Sequence, residues 1–326
     1  MKRRTFLAAT TAGVASLHPL GAVAQADYPS RPIRIVVGYV PGGGPDYIAR
    51  AISTRLGQVL GQSVVVENRP GAGGTMATSL VVKSPADGYT LLLGETGQLE
   101  IAPYVFKDLA YDPVKDLTPL ALLSDAAGVV LVTHSRTGIR TLADLVKAAK
   151  AAPGALNYGS VGPGTRQHLA VEVFKHEAGI DMVHVPYKGA GQTLPALLGG
   201  EIQILSGALQ TFQSQIKAGT LHVLAVLGPK RLSLIPDVPS LSEAYPGYKG
   251  FESQSGLLAP AGLPAAIRDK LEQAIKETVA APEVSGRLSS DGRSGQFLDA
   301  KAYGELIKDN LRKYEQAAKL AKFTPT

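Results

Sequence analysis

Three consecutive glycines, Gly42, Gly43 and Gly44, join an apolar run to a helix-like pattern, and Pro45 and Asp46 follow them. Because glycine has no Cβ, the backbone N–H groups of such a loop can approach a ligand closely. The N-terminus of the following helix favours negative charge, so the loop predicts an anion-binding site. One glycine would suffice for a turn, which is why three in a row favour a ligand. For Asp46 alone, we favour the simpler role of helix N-cap.

A second loop of the same kind spans residues 158–166 and contains Ser160, Gly164, Thr165 and Arg166. Arg166 falls in the first turn of the next predicted helix, where a cation faces the positive end of the helix dipole. This mismatch costs about 0.3–1 kcal/mol, and a bound carboxylate would reverse it. An arginine that extends into solvent would also avoid the mismatch, and both interpretations stay open.

Other kinds of site find no support in the residue pattern. Neither loop has the third glycine of a dinucleotide motif, and the phosphate-binding pattern G-x-x-x-x-G-K-[ST] is missing. No serine has glycine both two residues before and two residues after it, as a nucleophile elbow requires. The histidines show no metal-ligand spacing, and His168 and His176 fit a packing position and a solvated face better than ligands. We therefore expect no catalytic group, no metal and no cofactor.

Residues 1–26 have the features of an export signal. Lys2, Arg3 and Arg4 precede an apolar, alanine-rich stretch, and Ala24-Gln25-Ala26 offers small residues for cleavage. The paired arginines resemble the twin-arginine type, which would imply export after folding, but such pairs also occur in ordinary secretory signals. We expect an exported protein, and the export route stays open.

The mature chain is nearly balanced in charge. Without residues 1–26, the 33 Lys and Arg become 30 against 27 Asp and Glu, so the net charge falls from +6 to +3. This charge is small and scattered, so no nucleic-acid partner is expected. Cysteine is absent, which excludes disulfides, thiolate metal sites and a cysteine nucleophile. No later apolar run reaches about 18 residues, so we expect a soluble protein.

An alternation of strands and helices must position the two loops. The predicted strands are Ile33–Val40, Val64–Glu67, Thr90–Leu93, Gly128–Thr133, Leu156–Ser160, Met182–Val185, Ile202–Leu205 and Leu221–Val226. The predicted helices are Tyr47–Leu60, Thr75–Ser84, Leu142–Ala151, Gln167–Ala178, Pro264–Val279 and Tyr303–Ala321. The βαβαβ order of the first half predicts a parallel, doubly wound sheet, and the second half repeats it. A mature chain of about 300 residues exceeds one core, so we expect two domains with a binding cleft between them.

Seven segments, in order along the mature chain, carry a family resemblance. They are Tyr28–Ile33, Pro41–Asp46, Val66–Gly74, Asp87–Leu92, Leu156–Tyr158, His184–Gly189 and Pro236–Pro239. Together they resemble the Bug family, the periplasmic solute-binding proteins of tripartite tricarboxylate transporters. The resemblance implies a two-domain α/β fold of the Venus flytrap type, type II-like, with the ligand cleft between the domains. Residues 27–124 plus 251–326 would form domain 1, and residues 125–250 would form domain 2.

The resemblance also implies a role and a set of ligand contacts. The protein would be a monomer without enzymatic activity that delivers a small organic carboxylate to two membrane subunits. Backbone amides of both loops would hold the carboxylate, partly through ordered water. The predicted contacts are Tyr39, Gly42, Gly43, Gly44, Pro45, Asp46, Ser160, Gly164, Thr165, Arg166, His168, Tyr187, Ser206, Gly207 and Gln254.

Three departures from the family pattern bear on the ligand. Pro163 and Arg166 stand where many members have Asn and then Ser or Thr, Ser206-Gly207-Ala208 replaces Phe-Asp-Asn, and Gln254-Ser255 replaces an aromatic residue. Losing an acid at Gly207 and gaining a cation at Arg166 favours a second negative group on the ligand over an amino acid. The lost aromatic bulk indicates a roomier, more polar pocket. The leading prediction is a dicarboxylate or an aromatic carboxylate.

Two other functions fit the same residues. An exported α/β hydrolase could use Ser160 and His168, and it would convert its ligand into product. A ligand-sensing partner of a membrane sensor kinase would share the fold and the ligand and would differ only in its partner.

Overall fold

The chain folds into two β-sheets with helices packed against them, in a computed structural model that describes residues 28–126, 129–187, 190–289, 297–323 and 325. The predicted export signal at residues 1–26 lies outside the described residues, as do Lys188 and Gly189 of one family segment.

The strands and helices alternate through most of the described chain. The strands are β1 Ile33–Val37, β2 Val64–Asn68, β3 Thr90–Glu95, β4 Leu117–Ala126, β5 Val129–His134, β6 Asn157–Ser160, β7 Val183–Pro186, β8 Ile204–Ala208, β9 Leu221–Val226, β10 Ser253–Pro260 and β11 Leu298–Asp299. The α-helices are α1 Gly44–Leu60, α2 Thr75–Val82, α3 Ala102–Val105, α4 Leu142–Ala151, α5 Arg166–Ala178, α6 Ala190–Gly199, α7 Leu209–Lys217, α8 Leu241–Ala244, α9 Ala265–Ala280, α10 Pro282–Leu288 and α11 Ala300–Leu320.

The first sheet has the strand order β11-β4-β10-β3-β1-β2. Strand β1 pairs in parallel with β2 and β3, as the βαβαβ pattern predicts. Strand β10 runs antiparallel to both β3 and β4, so the sheet is mixed and the expectation of a purely parallel sheet is wrong. Of the unpredicted strands, β4 and β10 resist recognition from local pattern, because β10 begins with polar residues and Gly256 and β4 contains Pro119.

The second sheet has the strand order β7-β6-β8-β5-β9. Strand β6 pairs in parallel with β7 and β8, while β5 runs antiparallel to β8 and β9. Its strands all come from residues 129–226, whereas the first sheet takes its strands from residues 33–126 and 253–299. The domain boundaries, drawn at 124 and 251, stay a prediction. Helix α6 was missed because glycines and Pro195 inside it look like a loop.

A buried apolar cluster joins the two halves of the molecule. Ile101 and Val105, which follow β3 of the first sheet, belong to the same cluster as Leu169 and Phe174 of α5. Tyr314 of α11 is also fully buried in it. The cluster therefore fixes the segment after β3 next to the helix that follows the second glycine-rich loop.

Candidate functional site

A cavity of about 480 Å³ lies where loops of the two sheets meet. Such a volume is typical of small-molecule pockets. The first half contributes Tyr39, Pro45, Ala72 and Gly73, the segment after β3 contributes Glu95, Thr96 and Gly97, and the short helix α3 and its flanks contribute Ile101, Ala102, Val105 and Phe106. The second half contributes residues 163–167, and Ser253 of β10 completes the wall.

The first glycine-rich loop reaches the cavity through Pro45 rather than through its three glycines. Helix α1 begins at Gly44 with Gly43 as its N-cap, so the prediction that Asp46 is the N-cap is wrong. Asp46 lies in the first turn, where its Oδ2 accepts a hydrogen bond from the N–H of Gly42 at 2.8 Å. Gly42, Gly43, Gly44 and Asp46 do not line the cavity, and their predicted ligand contact stays a prediction.

Asp46 is 3% exposed and holds the loop in place. Its carboxylate accepts hydrogen bonds from Arg50 Nε at 2.9 Å and from Asn68 Nδ2 at 2.9 Å, in addition to Gly42. Burial opposes ionisation, but the hydrogen bonds from Arg50, Gly42 and Asn68 outweigh it and lower the pKa of Asp46. The side chain therefore stabilises the shape of the loop as an ionised group.

A third glycine-rich segment lies beside the first loop, at the end of β2. Ala72 and Gly73 line the cavity, and Tyr39 Oη donates a hydrogen bond to the carbonyl of Gly73 at 3.1 Å. Gly74 has a φ of +96°, and a Cβ there would lie 1.9 Å from Gln98 Oε1, so only glycine fits. The sequence analysis did not count this segment as part of the site. The run from Gly71 to Gly74, at the same edge of the sheet as the first loop, could have indicated this part of the site.

In the second loop, the predicted residues divide between the cavity wall and the support behind it. Gly164, Thr165 and Arg166 line the cavity. Ser160 is fully buried, and its Oγ lies 2.7 Å from His184 Nε2. His168 accepts a hydrogen bond at Nδ1 from the N–H of Gly164 at 3.1 Å.

The two histidines behind the loop form a stack, with ring centroids 4.0 Å apart. Burial lowers the pKa of His168, and burial together with the neighbouring His168 and Lys175 lowers the pKa of His184 to about 4. The hydrogen-bond partner of Ser160 is His184 and not His168, and neither Ser160 nor His184 lines the cavity. This geometry gives the hydrolase alternative no serine–histidine pair at the cavity wall.

Arg166 brings a positive charge to the wall. Its Nη1 donates to the carbonyl oxygen of Phe251 at 3.4 Å, a long hydrogen bond that engages one of the five guanidinium donors. Arg166 is among the residues that line the cavity and is only partly exposed, which favours the cavity interpretation over an arginine directed into solvent. Thr165 is the N-cap of α5, so Arg166 and Gln167 occupy the helix turn whose N–H groups have no partner within the helix.

Glu95 is a wall residue that the sequence analysis missed. It ends β3 and is followed by a π-helical turn, Gly97–Ile101, a rare element that often marks functional sites. The residue is 5% exposed, and its carboxylate accepts hydrogen bonds from the hydroxyls of Ser253 and Ser255. An acid directly after a buried apolar strand, at the edge where α/β sheets open to ligands, was the available signal.

The remaining predicted residues lie away from the cavity wall. Ser206 is buried and donates to the carbonyl of Gln167 behind the second loop, and a Cβ at Gly207 would lie 2.7 Å from the ring of Phe212. Gln254 accepts a hydrogen bond from Asn310 at 2.7 Å, and Tyr187 lies near Glu201 at the surface. The predicted ligand contacts of Tyr187, Ser206, Gly207 and Gln254 stay predictions.

Two further observations hold for the described ranges, 28–126, 129–187, 190–289 and 297–323. No group of three His, Asp or Glu side chains there is placed to hold a metal ion. No helix there combines the length and the apolar character needed to cross a membrane.

Comparison with known proteins gives consistent matches over most of the chain. A family described as the tripartite tricarboxylate transporter family receptor matches residues 48–321. A UPF0065 protein of Bordetella pertussis is 37% identical over 270 residues, which cover 82% of this chain and 83% of that protein. The structure of R. palustris Rpa4515 with adipate matches with a TM-score of 0.78 and 30% identity, over 92% and 100% of the two chains. MatC from Rhodopseudomonas palustris with bound malate gives 0.73 and 28%, over 89% and 99%.

These matches confirm the family resemblance and the α/β fold of periplasmic binding proteins. The family and the fold are those of solute-binding receptors and not of enzymes. The chain therefore belongs to the tripartite tricarboxylate transporter receptor family.

Proposed function

We propose that this chain captures a small organic carboxylate in the cavity and delivers it, in the periplasm, to the two membrane subunits of a tripartite tricarboxylate transporter. The observation that carries the proposal is Arg166, a cation on the cavity wall in the first turn of α5. A cation at a helix N-terminus is unfavourable in the empty protein. A carboxylate would interact favourably with the guanidinium and with the first-turn amides at the same time.

The energetics suit a binding protein. Micromolar affinity requires about 8 kcal/mol, and hydrogen bonds to charged groups contribute about 1.5–3 kcal/mol each. Three to five such bonds to one carboxylate therefore nearly suffice before the entropy of association is subtracted.

The walls favour a ligand with an apolar body. Ile101, Val105 and Phe106 line the cavity beside the polar groups. An aliphatic or aromatic carboxylate would bury its carbon skeleton against them. Of the matched proteins, Rpa4515 was solved with adipate and MatC with malate, which supports an organic acid as the ligand class. Dicarboxylates and aromatic carboxylates thus belong in any panel of candidate ligands.

The variant Arg166→Ala tests the carboxylate contact. We expect its affinity for the tightest-binding acid in such a panel to fall at least about tenfold, as calorimetry would measure, because a charge-assisted hydrogen bond is lost. Its melting temperature should change little, because the guanidinium bond to Phe251 is long. Arg268→Ala, at a partly exposed position on α9 away from the cavity wall, is the control and should bind normally. Unchanged affinity of Arg166→Ala would contradict the proposal.

Two measurements test the receptor role. Native mass spectrometry of protein purified without refolding should detect a retained small acid, and incubation should return that acid unchanged. Formation of any product would contradict a binding protein.

The two transporter membrane subunits should be recovered when the protein is used as bait against membrane fractions. Recovery of a sensor kinase in their place would indicate the signalling alternative.

A further inference from the structure

Glu95 brings a carboxyl group to the wall of the same cavity. Ser253 Oγ donates to its Oε2 at 3.2 Å, and Ser255 Oγ donates to its Oε1. Hydroxyl donors on both oxygens favour the ionised carboxylate, whereas burial opposes ionisation. The residue is 5% exposed, and two residues of β10 hold its side chain. Such support fixes its orientation, as a residue that selects ligands requires.

Arg166 supplies the opposite charge, and Tyr39 lies in the field of both groups. Burial is the main cause of the raised pKa of Tyr39, the charge of Glu95 raises it further, and the charge of Arg166 lowers it. All three side chains line the cavity. Arg166 and Glu95 thus bring a basic and an acidic side chain to the walls of one cavity.

The charge pattern of the wall selects against a ligand with two carboxylates. A second ligand carboxylate near Glu95 would meet a like charge in a partly dehydrated site, where repulsion is stronger than in water. An ammonium group would instead make a charge-assisted hydrogen bond with Glu95. The prediction of a dianionic ligand counted the cation at Arg166 and left out the acid at Glu95.

We propose that the ligand is a carboxylate that also carries an ammonium group, with Arg166 binding the carboxylate and Glu95 binding the ammonium. This inference rests on the proposed function of carboxylate capture. The apolar side chains of Ile101, Val105 and Phe106 would then contact the carbon chain or ring between the two charged ends.

Matched ligand pairs test the inference on the wild-type protein. In each pair one carboxylate is exchanged for a CH₂-ammonium group while the rest of the molecule stays the same. The pairs are succinate and 4-aminobutyrate, glutarate and 5-aminopentanoate, adipate and 6-aminohexanoate, and terephthalate and 4-(aminomethyl)benzoate. In the pair that binds best, calorimetry should show the amine at least about tenfold tighter than the diacid, the effect of one charge-assisted hydrogen bond.

The variant Glu95→Gln removes the charge and keeps the shape. It should lose at least about tenfold in affinity for the amine, and it should bind the matching diacid as well as the wild type or better. Glu67→Gln is the matched control, because Glu67 pairs with Arg34 at the surface of the first sheet and does not line the cavity. That variant should keep the wild-type preference. If Glu95→Gln does not fold, the wild-type preference within the ligand pairs decides the question.

The outcomes separate the two proposals. A preference for the diacid in every pair, or an unchanged ratio of amine to diacid affinity in folded Glu95→Gln, would overturn the role of Glu95 and leave carboxylate capture standing. Failure of every acid in the set to bind would overturn carboxylate capture itself, and the inference with it.

Discussion

Asp46 and His168 hold the two glycine-rich loops by the same kind of hydrogen bond. Asp46 Oδ2 accepts from the N–H of Gly42, and His168 Nδ1 accepts from the N–H of Gly164. In both loops the acceptor lies four residues after the glycine, in the first turn of the following helix. These two amides are thus satisfied within the protein, and a ligand must rely on other donors, among them Arg166.

Asp46→Ala tests this role at the scale of one residue. The variant leaves the N–H of Gly42 without its acceptor and removes one of the two acceptors of Asn68 Nδ2, the other being the carbonyl of Tyr39. We expect the free energy of unfolding to fall by about 1.5–3 kcal/mol, the range for hydrogen bonds to a charged group. Urea unfolding followed by circular dichroism measures it. Asp309→Ala, at an exposed position on α11, is the control and should change stability by less than about 0.5 kcal/mol. Equal losses in both variants would contradict the supporting role of Asp46.

At the scale of elements, helix α5 begins against the stacked rings of His168 and His184. The stack continues to Tyr158 of β6, whose ring centroid lies 4.9 Å from that of His184. Ser160 bonds His184 from the end of the same strand. The imidazoles of His168 and His184 thus join β6, the second loop and α5. Both rings are neutral, because burial disfavours their protonation.

The second loop should therefore weaken in acid. The pKa of His184 is lowered from 6.5 to about 4, so the unfolded chain binds a proton more readily than the folded protein between these values. Stability should fall as pH decreases from about 6.5 towards about 4. Thermal melts at pH 7 and pH 5 should show a larger loss for the wild type than for His184→Gln, which cannot titrate. The exposed His176→Gln on α5 should behave like the wild type. Equal acid sensitivity in wild type and His184→Gln would refute the assignment.

At the scale of the whole molecule, the cavity exists only because distant segments meet. Pro45, Glu95, Arg166 and Ser253 come from four separate parts of the chain, and they line one space. A ligand that contacts Glu95 and Arg166 together would bridge the two halves. Binding should then stabilise the folded protein as a unit, because the unfolded chain has no such site.

This coupling predicts the size of the ligand effect on global stability. At a free concentration of about 100 times Kd, the tightest-binding acid should raise the free energy of unfolding by about 2.7 kcal/mol. Urea unfolding at several ligand concentrations measures the increase, and calorimetry supplies Kd independently. A clearly smaller increase at a known Kd would mean that the unfolded chain binds the acid too, which a site built from distant segments does not allow.

Local sequence pattern was sufficient for much of the fold. Helix α4 and strand β9 have the predicted bounds, because amphipathic and apolar periodicity is a property of neighbouring residues. The two glycine-rich loops precede helices as predicted, although α1 begins at Gly44, inside the predicted loop, and not at Tyr47. Strands β4 and β10 escaped prediction, because their pairing joins residues far apart in the chain and not a local pattern.

The sequence by itself determined the family, the alternation of strands and helices, and two glycine-rich loops at helix N-termini, since these depend on residue type and short spacing. Only the tertiary structure decided which residues line the cavity. In the folded protein Asp46, Ser160 and His168 support the loops through hydrogen bonds, and Glu95 lies at the cavity wall. The physical reason is that a wall position depends on packing between β3 and β10, whose paired residues are about 160 positions apart in sequence.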